Sequence, residues 1–176
     1  KNNQLNPELN EGTTPLEPPA TPEEGYHLTK DLADHAISWI HTQKALMPDK
    51  PFFIYFSPGA THAPHHVPKE WADKYKGKFA QGWDKLREET LARQKALGVV
   101  PQGCELTARH AEIPAWDDMP AEWKPILERE MEVYAGFMEH TDYHVGRVID
   151  AIEGLGIMDD TLIYVIIGDN GASAEG

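Results

Sequence analysis

Apolar side chains recur at helical spacing in three parts of this chain. A helix is predicted from Thr29 to about Lys44, and a more polar one from about Trp83 to Leu97. A third, longer series advances in three- and four-residue steps and predicts a helix that ends at Gly154. The positions of this third apolar face are Leu127, Met131, Tyr134, Met138, Val145, Val148 and Ile152, with Thr141 filling the gap.

Two short runs are apolar at nearly every position and predict strands rather than helices. Phe52–Phe56 is aromatic and β-branched, and Thr161–Ile167 is almost entirely aliphatic. Such runs are typical of strands that are buried on both faces, as in a parallel sheet with helices on each side. The order of helix, strand, helix and strand predicts an α/β fold.

Two strands cannot form the interior of a parallel sheet, because each interior strand needs neighbours on both sides. We therefore expect residues 1–176 to be an internal part of one larger catalytic domain. Residues 1–25 lack an apolar period and are predicted to be irregular. Residues 69–125 combine a polar helix with prolines and scattered tryptophans, which predicts a surface excursion.

Composition and charge exclude several classes of function. Apolar residues make up 40% and charged residues 26% of the chain, as in ordinary globular proteins. A net charge of −13 argues against a nucleic-acid partner, and no apolar run approaches the roughly 18 residues that span a membrane. The single cysteine, Cys104, rules out an internal disulfide, and its surroundings do not favour a catalytic thiol.

Three histidines follow the first predicted strand within a loop that contains proline and glycine. They are His62, His65 and His66. A zinc site is one interpretation, but Pro64 interrupts the cluster and helical spacing is absent. One histidine acting as a proton donor or anion contact is the preferred interpretation, because imidazole titrates near neutral pH. Surface histidines without a role remain an alternative.

Asp169 and Asn170 follow the second predicted strand directly, in Gly168-Asp169-Asn170-Gly171. A carboxylate and an amide carbonyl are hard oxygen donors, suited to Ca²⁺ or Mg²⁺. Ligands of open α/β sheets bind outside the carboxyl ends of the strands, so His62 and this pair are expected at the same edge. A simple turn is the competing interpretation, because Asp, Asn and Gly are common turn residues.

Taken together, these segments resemble the sulfatase family, and especially its bacterial arylsulfatase branch. The resemblance covers nearly all of the chain from about residue 13. The motifs that carry it are Pro51–Phe56, Thr61-His62-Ala63-Pro64, Lys76–Phe79, Gly82-Trp83-Asp84, Val145–Asp150, Asp159–Leu162 and Gly168–Gly171.

This resemblance implies the alkaline phosphatase superfamily fold, a mixed sheet flanked by helices, of which this chain is a part. It implies hydrolysis of small-molecule sulfate esters by formylglycine, an oxidised cysteine whose hydrate attacks sulfur, with a bound Ca²⁺ rather than Mg²⁺. Asp169 and Asn170 would supply two of the calcium ligands. His62 would contact the sulfate and protonate the departing alcohol or phenol.

The Cys-x-Pro-x-Arg motif that becomes formylglycine is absent from residues 1–176, and Cys104 does not stand in such a motif. We expect the nucleophile to lie elsewhere in the full-length protein, and the chain alone to be inactive and to bind calcium weakly. Asn170 favours sulfatases over phosphodiesterases and phosphonate hydrolases of the same superfamily, which typically have histidine at this position. A non-catalytic sulfatase-like binding module is the other alternative. Localisation, between the periplasm and cytoplasm of a bacterium, and oligomeric state are left open.

Overall fold

The computed structural model describes residues 3–168. Two short strands and four α-helices follow one another along this part of the chain. They are β1 (Leu9–Glu11), β2 (Thr14–Leu16), α1 (Leu28–Leu46), α2 (Lys69–Asp73), α3 (Gly82–Leu97) and α4 (Lys124–Gly154), with 3-10 turns at Pro22–Glu24, Trp116–Asp118 and Met158–Asp160. The result is a helix-dominated α/β chain with a small sheet, which confirms the predicted fold class.

The three long helices confirm the predictions from apolar spacing. Helix α1 begins one residue before the predicted start, where the His27 side chain caps the first turn. Helix α3 ends at Leu97 and is followed by Gly98, whose φ of 73° places it in the left-handed region that suits a helix C-terminus. Helix α4 ends at Gly154, as its sequence predicted.

The buried face of α4 differs in part from the predicted one. Met131 and Met138 are exposed, whereas Phe137, His140 and His144 are buried. The prediction counted only apolar residues as buried. The two histidines have polar partners inside the protein and are therefore tolerated in the core. Val148 and Ile152 are buried as expected.

The segment predicted to be irregular contains a hairpin. Strands β1 and β2 pair antiparallel, with Leu9 opposite Leu16 and Glu11 opposite Thr14. Gly12 makes the turn with a φ of 62°, which glycine adopts without strain. The prediction of irregular chain over residues 1–25 was therefore wrong for these short strands.

The two predicted strands differ from expectation more strongly. Within residues 3–168, neither Phe52–Phe56 nor Thr161–Ile167 is assigned to a strand. Side-chain burial nevertheless alternates along the first run, since Phe52, Ile54 and Phe56 pack on the core. Phe53 and Tyr55 are 86% and 81% exposed, so burial on both faces was the wrong prediction for this chain. A run of this kind needs neighbouring strands to pair its backbone and cover its second face.

Residues 3–168 form two compact units, one of them discontinuous along the chain. The first unit comprises residues 3–68 and 137–168, and the second comprises Lys69–Gly136. The core of the first unit contains Ala33 and Ile40 of α1 with Val148 and Ile152 of α4. Full burial of an aliphatic side chain such as Ile40 stabilises a fold by roughly 1.5–3 kcal/mol.

The second unit begins where the surface excursion was predicted and continues beyond it to Gly136. Trp116 is buried, and its ring meets Trp83 edge to face at a centroid distance of 4.8 Å. The Trp116 backbone N–H donates to the Asp84 carboxylate at 2.8 Å, and the Trp83 indole N–H donates to the Pro114 carbonyl at 3.1 Å. These bonds hold the proline-containing segment against α3.

Gly82 is a position of this unit where a side chain is poorly tolerated. A Cβ there would overlap the Trp116 ring, and the φ of 73° already disfavours any other residue. We expect Gly82→Ala to lower the free energy of unfolding by roughly 3 kcal/mol, from overpacking together with the backbone term.

Gly77→Ala is the matched control for this prediction. Gly77 has the same φ of 73°, but a Cβ there has no atom within 4 Å. We expect a loss of only about 1 kcal/mol, due to the backbone conformation. Urea unfolding of the two full-length variants measures the difference, and equal losses would show that Trp116 does not fill the space above Gly82.

Candidate active site

His62 lies in a loop that its own backbone and side chain help to fold. The His62 backbone N–H donates to the Gly59 carbonyl at 2.9 Å, and its Nδ1 lies 2.8 Å from the Ala63 carbonyl oxygen. A carbonyl oxygen only accepts, so Nδ1 carries a proton and donates it. A proton exchanged with a substrate would therefore be carried by Nε2. The His62 side chain is exposed, as a group that meets a substrate must be.

The two other histidines of the loop have structural partners. His65 donates from Nε2 to the Thr61 carbonyl at 3.0 Å, and His66 donates from Nδ1 to the Asn3 side-chain oxygen at 3.0 Å. In residues 3–168, no three His, Cys, Asp or Glu side chains are grouped in a way that could hold a metal ion.

His27 connects this loop to the start of α1. Its Nδ1 accepts the Thr29 backbone N–H at 3.2 Å, and its Nε2 lies 2.9 Å from the His66 carbonyl oxygen. Burial lowers the pKa of His27, an effect that the hydrogen bond to His66 partly opposes. The imidazole is therefore neutral at neutral pH, with its proton on Nε2.

A chain of polar contacts continues from His27 along α4, buried at its histidines and partly exposed at Arg147 and Asp34. The ring of His140 lies against His27 at a centroid distance of 4.3 Å, and its Nε2 is 3.2 Å from Nε2 of His144. Arg147 donates from Nη1 to Nδ1 of His144 at 3.0 Å and from Nη2 to Asp34 at 2.5 Å. Because a guanidinium only donates, neutral His144 carries its proton on Nε2 and donates it to His140.

The pKa of His144 is strongly lowered in this chain of contacts. Burial, followed by the positive charge of Arg147, lowers the pKa of His144 to about 4. Asp34 acts in the opposite direction, and the Arg147 guanidinium holds the pKa of Asp34 below its usual value despite partial burial. Apolar spacing did not predict this chain of contacts. The signal that could have revealed it is a pair of histidines spaced four residues apart on a packing helix.

The lowered pKa of His144 predicts acid lability. The unfolded state binds this proton near pH 6.5 and the folded state only near pH 4, so stability is complete above about 6.5 and falls between these values. His144→Gln removes the titrating group. We expect the stability advantage of the wild type over this variant to shrink by about 2 kcal/mol between pH 7 and pH 5.

Urea unfolding of the full-length protein at several pH values measures this change. His41→Gln is the control, because His41 lies on α1 with an exposed side chain. The difference in free energy of unfolding between His41→Gln and the wild type is expected to stay constant between pH 7 and pH 5. A constant difference for His144→Gln as well would refute the neutral state assigned to His144.

Asp169 and Asn170, the predicted metal ligands, lie outside the described residues. Their relation to His62 therefore stays a prediction. None of the helices in residues 3–168 has the length and apolar character needed to cross a bilayer.

Several known proteins to which this chain is similar are sulfatases. A family model described as Sulfatase matches residues 1–176. The chain is 38% identical to an uncharacterized sulfatase of Schizosaccharomyces pombe over 133 residues. This alignment covers 70% of the present chain and 22% of the relative. Over 149 residues it is 29% identical to an arylsulfatase of Klebsiella aerogenes, covering 84% of this chain and 31% of the relative.

A sulfatase of Formosa agariphila is 24% identical over 146 residues, which is 80% of this chain and 26% of the relative. The chain thus spans less than a third of the length of each of these relatives. The match to the Sulfatase family model extends over residues 1–176 of this chain. The chain belongs to the sulfatase family.

Proposed function

We propose that the full-length protein containing this chain hydrolyses sulfate esters, with aryl sulfates as its substrate class. The observation that carries the proposal is the Sulfatase match over residues 1–176, a range that contains His62 and the pair Asp169-Asn170. The arylsulfatase of Klebsiella aerogenes, to which 84% of the chain aligns, supports the aryl class.

The chemistry of the donor set supports a calcium site at Asp169 and Asn170. A carboxylate and an amide carbonyl are hard oxygen ligands, and Asn170 stands where a histidine would favour a softer metal such as zinc. When bound, Ca²⁺ would supply the positive charge that stabilises sulfate oxygens. Local charge of this kind is needed, because a protein segment with a net charge of −13 repels anions.

We assign His62 the protonation of the leaving group. With Nδ1 donating to the Ala63 carbonyl, His62 can hold a second proton on Nε2 and transfer it to the oxygen that leaves sulfur. The exposed position of the ring suits this role. The nucleophile is expected to be a formylglycine elsewhere in the full-length protein, since Cys104 lies in Gly-Cys-Glu-Leu and not in Cys-x-Pro-x-Arg.

The proposal is tested by the substrate preference of the purified full-length protein. We expect 4-nitrophenyl sulfate to be hydrolysed with a kcat/KM at least about a hundredfold above that of bis(4-nitrophenyl) phosphate. The reverse preference would favour a phosphodiesterase, and hydrolysis of neither ester would favour a non-catalytic binding module. Both probes release the same phenol, so differences in leaving-group chemistry do not disturb the comparison.

A further inference from the structure

His27 makes two hydrogen bonds that serve different parts of the first unit. Through Nδ1 it accepts the Thr29 backbone N–H and caps α1, and through Nε2 it bonds to the His66 carbonyl. The side chain is 2% exposed, and Phe137 and His140 lie against its ring. A buried ring with both nitrogens bonded has a fixed orientation.

The direction of each bond follows from the partners. The backbone N–H of Thr29 can only donate, so Nδ1 of His27 is unprotonated. Nε2 must then carry the proton of the neutral ring and donate it to His66. A proton added to Nδ1 would break the cap and place positive charge at the N-terminus of α1, where the helix dipole opposes it.

The bond to His66 fixes the end of the loop that carries His62. The loop is closed at its start by the His62 N–H to the Gly59 carbonyl, and His65 bonds back to Thr61. Its far end is held by His27 at the His66 carbonyl and by Asn3 at the His66 side chain. Of these contacts, the one from His27 connects the loop to the first turn of a long helix.

We propose that His27 is a positioning residue for His62: its Nε2–H holds the His66 carbonyl, and this bond keeps the His62 ring in place to protonate the leaving group. The proposal rests on the proposed function of His62. The position from which His62 transfers the proton then depends on a buried imidazole that touches neither the substrate nor the metal.

Two substitutions separate the functions of the two nitrogens. In His27→Asn, the side-chain oxygen can accept the Thr29 N–H as an N-cap, but the shorter side chain does not reach His66. In His27→Gln, the longer amide can donate to the His66 carbonyl, while the cap is weakened. We expect His27→Gln to melt at a lower temperature than His27→Asn, yet to hydrolyse esters more like the wild type.

The kinetic readout is the dependence on the leaving group. Phenol is a poorer leaving group than 4-nitrophenol, so hydrolysis of phenyl sulfate relies more on protonation by His62. We expect His27→Asn to lower kcat/KM for phenyl sulfate at least about tenfold more than for 4-nitrophenyl sulfate, whereas His27→Gln keeps the wild-type ratio. In a His62→Ala background, His27→Asn should change this ratio no further.

Hydrogen exchange supplies a readout that does not depend on catalysis. Peptides covering residues 59–66 of the full-length protein should exchange faster in His27→Asn than in the wild type or in His27→Gln. Unchanged exchange in His27→Asn, or an unchanged ratio between the two sulfates, would overturn the proposal. If the wild type hydrolyses neither ester, the proposed function fails, and the exchange of the loop still decides whether His27 holds it.

Discussion

Asp169→Ala is expected to lower the kcat/KM of the full-length protein for 4-nitrophenyl sulfate by at least about a thousandfold. The substitution removes the carboxylate of the proposed calcium site and with it the negative charge that attracts the ion. Without a bound cation, the developing charge on sulfate would lose several kcal/mol of stabilisation. Steady-state hydrolysis with excess calcium measures the loss.

Asp159→Asn is the matched control, because Asp159 is an exposed carboxylate in the 3-10 turn Met158–Asp160. We expect this variant to keep wild-type activity. Asn170→His should also lower activity, since imidazole is a softer ligand than an amide oxygen. Sulfate-ester hydrolysis at the wild-type rate in either Asp169→Ala or Asn170→His would contradict the assignment of these residues to the metal.

His62→Ala is the second change for which we expect a large effect. General acid catalysis typically contributes 10²–10⁴-fold, so we expect the loss for phenyl sulfate to lie in about this range. The loss for 4-nitrophenyl sulfate should be smaller, because 4-nitrophenolate leaves without much help from a proton. The two kcat/KM values, measured for variant and wild type, give the result.

His41→Ala serves as the control for His62→Ala, because both side chains are exposed but His41 lies on α1 away from the loop sequence. Its activity toward both esters should match that of the wild type. An equal loss for the two sulfates in His62→Ala would argue that the ring binds sulfate without transferring a proton.

The helices were the most predictable part of this fold. Apolar periodicity and the proline or glycine that follows a helix are local signals. They located α1, α3 and α4 to within a few residues. Phe52–Phe56 and Thr161–Ile167 were harder, because a strand exists only through partners that its own sequence does not specify. Phe53 and Tyr55 consequently face solvent, although their composition is that of a buried strand.

For the site, the sequence proposes His62 and the Asp169-Asn170 pair, because each follows an apolar run and fits a family motif. These roles stay predictions. His27, His140 and His144 were not found, because their importance comes from contacts that cross the sequence: His27 bonds a residue 39 positions away, and Arg147 bonds one 113 positions away. Periodicity treats a buried histidine as a break in the apolar face, although its hydrogen bonds make it part of the core.

The metal content of the purified full-length protein tests the central claim most directly. Elemental analysis after dialysis should find calcium, at about one ion per chain, in the wild type and in Asp159→Asn, and should find it lost in Asp169→Ala. Zinc or manganese in place of calcium, or calcium that persists in Asp169→Ala, would contradict a calcium site built on Asp169 and Asn170.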